Sequence, residues 1–150
     1  MPHQLIYAST STTPLEADAL EALLAHARAR NAAQGISGAL VYFEGAFLQV
    51  LEGERAVLDA LMAQIARDLR HAHVVVLQAS EVPEPVFGDW TMAYVAATAA
   101  QVAEWAGLGP LHRAADVLPE LQPDPARAAQ LAQRILAQLQ PAPPAPAGSF

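Results

Sequence analysis

Residues Gly35–Gly53 read GISGALVYFEGAFLQVLEG, and the fold follows from how that stretch is parsed. Two apolar runs, Ala39–Phe43 and Phe47–Leu51, flank the short link Glu44-Gly45-Ala46. Both runs are rich in β-branched and aromatic residues and too short for a buried helix, so each reads as a strand. A short link containing Gly joins them as a hairpin. Ala39, Val41 and Phe43 fall on one face of the first strand, and Leu40 and Tyr42 fall on the other. A strand that is apolar on both faces belongs inside a sheet covered from both sides. Gln49 interrupts this pattern, because it shares a face with Phe47 and Leu51 in the middle of an apolar run. A buried amide without hydrogen-bond partners costs roughly 1–3 kcal/mol. Gln49 therefore either pairs with a neighbouring backbone group or faces a ligand.

The bulk properties narrow the functional classes. A chain of 150 residues is one domain by length, with a 53% hydrophobic content that argues against disorder. No apolar stretch reaches the length of a membrane span. The start, MPHQLIYAST, lacks the basic and long apolar regions of a signal peptide, so a cytoplasmic protein is expected. There are no cysteines, which excludes disulfides and thiolate metal sites. A net charge of −7 with only 8 Lys and Arg speaks against direct nucleic-acid binding.

Outside the hairpin, Gln4–Ala8 reads as a first strand. Thr13-Pro14-Leu15-Glu16 combines capping-box spacing with Pro at the first helical position, predicting a helix to about Ala32. Leu20, Leu23, Leu24 and Ala27 form its apolar stripe, and Asn31 lies further along it. Asn31 either helps end the helix or serves a ligand. A second helix is predicted over Glu54–Leu69. Leu58, Leu61, Met62, Ile65 and Leu69 make its apolar side, and Val57, Leu61, Gln64 and Asp68 form an adjacent strip that turns polar. An Asp on a helix is usually solvated. Val74–Ala79 is a further strand, preceded by His71-x-His73, a pair with no evident third metal ligand. Phe87–Ala96 is predicted as the last strand, with Trp90, Met92 and Tyr94 on one face as core residues. Gln101–Leu108 and Asp124–Leu139 are predicted helices, the second amphipathic through Leu131, Ile135, Leu136 and Leu139. Pro141–Phe150 is expected to be a disordered tail. The order of elements predicts an α+β, ferredoxin-like βαββαββ sheet, with two helices on one face and the C-terminal helices covering the other.

Taken together, LIYAS at residues 5–9, ARNAAQGISGALVYFEGAFLQVLEG at 29–53, DLRH at 68–71 and FGDWTMAY at 87–94 resemble the BLUF family of blue-light sensors using FAD. The resemblance implies an isoalloxazine ring held non-covalently between the two main helices, with FMN or riboflavin as substitutes. It implies that Tyr7 is the redox-active tyrosine and that Gln49 bridges Tyr7 to the flavin. Asn31 would bond the flavin carbonyl edge, with Arg30 beside the ring and Asp68 near its pyrimidine edge. Arg70 and His71 would lie near the phosphate-bearing tail. Ser9, Trp90 and Met92 would support or switch the network. The resemblance covers about Leu5 to Tyr94.

Three positions depart from the family pattern. Gln4, Gln64 and Val86 stand where many relatives carry a basic residue, and the lost charge is expected to weaken binding of an anionic tail or retune recovery. The expected organisation is a flavin-binding domain over 1–97, a helical extension over 98–140 packed on the sheet, and the tail over 141–150. With no appended enzyme domain in view, a non-enzymatic photoreceptor is expected, signalling to a downstream protein or through self-association as a homo-oligomer, with no nucleic-acid or membrane partner. The alternatives are a small flavoprotein oxidoreductase and a light-insensitive interaction module. No dinucleotide fingerprint or nucleophile–base set supports the first, and Tyr7, Gln49 and Asn31 together oppose the second.

Overall fold

A computed structural model describes residues 2–12, 15–69, 71–88, 90–111, 113–121 and 125–139. Its strands are β1 (His3–Ser11), β2 (Ser37–Phe43), β3 (Ala46–Gly53), β4 (His71–Glu81) and β5 (Ala93–Ala96). The helices are α1 (Ala17–Gln34), α2 (Arg55–Arg67), α3 (Ala99–Trp105), α4 (Ala114–Leu121) and α5 (Pro125–Gln138). The strands form one sheet in the order β4-β1-β3-β2-β5. All neighbours are antiparallel except β2 and β5, which run parallel. The ferredoxin-like α+β expectation is met.

The hairpin turns on Glu44 and Gly45, with φ of 49° and 77°. Two successive left-handed residues twist with the strands, which is why this loop needs a Gly. Ala46 belongs to β3 and not to the link. Alternation along β2 then divides the core as expected. Ala39, Val41 and Phe43 join one cluster with Leu48, Leu77, Val102, Leu131 and Ile135, under α3–α5. Leu40 joins the other with Leu5, Tyr7, Phe47, Leu51, Leu58 and Ile65, under α1 and α2. Val75 and Leu77 lie on the α3–α5 side.

Several boundaries move. Residues 13 and 14 lie outside the described ones, and α1 begins at Ala17 with Glu16 as its N-cap. It ends at Gly35, whose φ of 70° suits a residue without a Cβ. The second helix stops at Arg67, leaving Asp68 extended at its C-cap and Leu69 beyond it, 89% exposed. Leu69 is therefore not part of the apolar side. The strand predicted over 74–79 is longer, and its pairing with β1 shifts between Ala8 and Thr10. His73, with φ of 54°, sits at that irregularity. Among the described residues no group of three potential ligands could hold a metal. The third helix starts earlier than expected, on a capping box made by Thr98 and Gln101. Helix α4, which contains Pro119, has no counterpart in the sequence reading. Asp124 and residues 141–150 lie outside the described residues.

The largest correction concerns Phe87–Ala96. Only Ala93–Ala96 pair as a strand. The preceding backbone bonds elsewhere. Trp90 carbonyl accepts from Gly38 N–H at 3.0 Å, and Met92 carbonyl accepts from Arg28 Nε at 2.9 Å. Because residues 86–92 are not a regular strand, Trp90 and Met92 do not share a face. Trp90 packs against the α3–α5 cluster, whereas Met92 is buried in the α1/α2 cluster.

Candidate functional site between helices α1 and α2

Tyr7 and Gln49 are direct cross-strand neighbours on β1 and β3, on the face beneath α1 and α2. The Tyr7 hydroxyl donates a hydrogen bond to Gln49 Oε1. With that oxygen occupied, the Gln49 amide donates from Nε2 to Met92 Sδ at 3.5 Å. A thioether is a weak acceptor. Gln49 is thus a buried amide whose donor side is held by a soft partner, a state that a better acceptor in the cleft would relieve.

Asn31 is fully buried on α1 and does not form the helix cap with its side chain. Its Nδ2 donates to the Thr91 carbonyl at 2.5 Å, and its Oδ1 accepts from Arg30 Nε and Nη2 at 3.2 and 3.0 Å. The two amides therefore converge on one short segment, Asn31 on Thr91 and Gln49 on Met92. Arg28, which sequence reasoning did not single out, holds the same segment through the Met92 carbonyl. Its signal is only an arginine on the helix that also carries Asn31, too little to find it by.

Tyr7, Gln49, Arg30 and Asp68 line a cavity of about 70 Å³, together with His26 and Ile65. A separate hollow of about 350 Å³ is lined by Gln34 of α1 and by Val57, Leu61 and Gln64 of α2. Burial pushes the Tyr7 phenol well above its ordinary value; nearby Arg30 opposes this and Asp68 adds to it. The phenol accordingly stays neutral and donates its hydroxyl proton to Gln49 Oε1. Burial lowers the Arg30 guanidinium from its ordinary value, countered in part by Tyr7. Ser9 is buried on β1 two residues beyond Tyr7, opposite Phe47. Arg70 lies outside the described residues, as does the side chain of His71.

The donor set fits a flat heterocycle with carbonyl and ring-nitrogen acceptors. The Gln49 amide and the Arg30 guanidinium supply donors at the cavity, and Leu23, Ala27 and Ile65 supply apolar walls. The departures lie elsewhere. Gln4 and Val86 both bond Glu52 on the opposite side of the sheet, Gln4 from Nε2 at 2.8 Å and Val86 from its N–H at 2.9 Å. Gln64 of α2 lines the separate hollow.

Residues 3–93 match the model of the BLUF family, "Sensors of blue-light using FAD". The photoactivated adenylate cyclase subunit alpha of Euglena gracilis is 40% identical over 91 residues, which is 59% of this chain and 9% of that protein. This chain spans only about 10% of the length of the curated relatives it matches. Among solved structures, BlsA in its photo-activated state superposes with a TM-score of 0.74 at 27% identity, covering 91% of this chain and 95% of that one. The dark-state structure of BlrB, a BLUF protein, gives a TM-score of 0.72 at 25% identity, covering 92% and 97%. The chain belongs to the BLUF family, the flavin-based blue-light sensors whose cofactor is FAD. Among the described residues no helix is long and apolar enough to cross a membrane.

Proposed function

We propose that Tyr7 and Gln49 are the light-responsive pair of this sensor and that residues 90–96 carry their state to the C-terminal helices. The observation that carries the reading is the continuous bridge from Tyr7 through Gln49 to Met92. When bound, FAD supplies blue-light absorption and an electron-accepting excited state. Asn31, Arg30 and Gln49 would hold the polar edge of the ring, with Asp68 at the mouth of the cleft. Arg70 and His71 remain the candidates for the phosphate-bearing tail. FMN or riboflavin would present the same ring to the same donors.

Tyr7 is the electron donor in this scheme. Its hydroxyl proton already sits on the bond to Gln49 Oε1, so loss of an electron from the phenol lets that proton move without rearrangement of the donor. An amide offers an oxygen on one side and an NH₂ on the other. Rotation or tautomerisation of Gln49 would exchange them. Met92 Sδ would then lose its donor, and the thioether would no longer be held in the cleft. Segment 90–96 is a suitable recipient, because it leads through β5 directly into α3. A change at Gln49 can bias that segment only through such a difference in bonding between the two states. Output would pass from the C-terminal helices to a protein partner or to a second copy of the chain.

The test is to purify the protein, release its flavin by denaturation, and record spectra of the native protein in the dark and under blue light. Released FAD and a red-shifted band that returns in the dark are expected. Bleaching by a nicotinamide cofactor without a light response would favour an oxidoreductase. A protein that takes up no FAD, or takes it up and stays inert to light, would refute the proposal.

A further inference from the structure

Glu52 is a carboxylate with no exposed surface, on the sheet face opposite the Tyr7–Gln49 pair. It lies three residues after Gln49 on β3. Its partners among the described residues are all uncharged donors. Oε1 accepts from the Phe87 N–H at 2.6 Å and from Ser37 Oγ at 3.4 Å. Oε2 accepts from the Val86 N–H at 2.9 Å and from Gln4 Nε2 at 2.8 Å. Among the described residues no cation pairs with it. A carboxylate buried without a cation needs several donors, and here two of them are consecutive backbone amides of an irregular segment.

That segment crosses from one core to the other. Phe87 is fully buried under α3–α5, and five residues later Met92 is buried under α1 and α2. Its far end is held by Asn31, Arg28 and Gln49. Residues 86–88 and 90–92 are therefore a strap held on both faces of the sheet, by Glu52 at Val86 and Phe87 and by Asn31, Arg28 and Gln49 at Thr91 and Met92, with the Trp90 carbonyl tied to the Gly38 N–H between them. On each face one of these holds comes from β3, through Glu52 and Gln49.

We propose that Glu52 is a positioning residue for the light response: it fixes the Phe87 end of the strap, so that a change at Met92 is delivered forward into β5 and α3. This rests on the switching role proposed for Gln49. Without the Glu52 bonds, movement at Met92 would be shared with Val86 and Phe87. With them, it is passed forward along residues 93–98. All the partners of Glu52 are donors, so an amide at this position would set its NH₂ against another donor and loosen the strap while keeping the size of the side chain.

The test compares wild type, Glu52→Gln and Gln4→Leu, each loaded with FAD, by amide exchange in dark and light and by dark recovery after illumination. Gln4→Leu removes one donor but leaves both strap bonds, so it reports the purely structural cost of disturbing the carboxylate. Exchange at Val86 and Phe87 in the dark is expected to rise about tenfold in Glu52→Gln and to stay unchanged in Gln4→Leu. Recovery in Glu52→Gln is expected to slow by about tenfold, because the dark position of Met92 is no longer templated. Wild-type Val86 and Phe87 should stay equally protected in both states while residues 93–98 change on illumination, which is measurable even if Glu52→Gln does not fold. Equal recovery in the two variants, or light-induced deprotection at Val86 and Phe87 in wild type, would overturn the proposal. A wild type that shows no light response would refute the switching role and the forward delivery with it, while dark exchange would still decide whether Glu52 anchors the strap.

Discussion

The two faces of the sheet are built to different ends. The face under α3–α5 is filled with aliphatic side chains, and Leu48, Val102, Leu121 and Leu131 have no exposed surface. Its buried polar groups, Glu52 and Gln4, satisfy each other and the neighbouring backbone. The face under α1 and α2 holds Tyr7, Gln49 and Asn31 in an apolar setting, beside a cleft. Helix α1 buries only Leu24, Ala27 and Asn31 along its 18 residues. It is held largely by polar bonds from Arg28 and Asn31 to residues 91 and 92, whereas α5 is seated through Ala128, Leu131, Ala132 and Ile135. Stability is concentrated on one face and adaptable polar chemistry on the other.

If that division holds, Leu131→Ala should lower unfolding free energy by about 2–5 kcal/mol in denaturant melts. The same variant should keep its flavin and its light response, because nothing in its cavity touches the cleft. Loss of the response in a folded Leu131→Ala protein would break the separation of the faces. The next effect comes from the cofactor. At about a hundredfold its Kd, FAD should add about 2.7 kcal/mol of stability. The gain in amide protection should fall on α1 and α2 and spare α5; uniform protection of all the helices would argue against a local site.

A third substitution probes the seam between the faces. A Cβ on Gly38 would lie 2.0 Å from the Val50 carbonyl oxygen, and the Gly38 N–H holds the Trp90 carbonyl. Gly38→Ala should therefore cost about 1–3 kcal/mol and also perturb the light response, since the strap shifts with β2. A melt unchanged from wild type would show that the close approach is not needed. The smallest effect belongs to the surface. Arg55 and Asp59 form an exposed pair at 3.8 Å on α2. Arg55→Ala should change stability by less than about 1 kcal/mol and leave both faces as they were.

What was legible in the sequence tracks this same division. The strand alternation of Ala39–Phe43 gave both cores, because a period of two assigns faces without any knowledge of the partners. Gln49 and Asn31 stood out because an amide within an apolar stripe is locally anomalous, whatever the fold. Trp90 and Met92 were placed on one face because a regular strand was assumed. Their separation depends on Gly38, Arg28, Asn31 and Glu52, each remote in sequence from residues 86–92. Glu52 itself closes an apolar run just before a Gly and looks like an ordinary solvated end. Its burial is visible only once Gln4, Ser37 and the Val86–Phe87 backbone have converged on it. At Gln4 and Val86 the lost charge is expected to weaken binding of an anionic tail or to retune recovery; in the structure both residues belong to that convergence on Glu52.

The central claim is that the Tyr7–Gln49 pair converts light into a change at Met92. Light-minus-dark absorption spectra of wild type, Tyr7→Phe and Gln49→Leu, recorded at matched FAD occupancy, test it most directly. Both substitutions keep the bulk of the cleft, so both variants should bind FAD and remain yellow. Phe has no phenolic proton, and Leu can neither accept from Tyr7 nor donate to Met92, so the reversible red shift of wild type should be absent from both. A variant that binds FAD and still shifts with wild-type yield would contradict the relay at that residue.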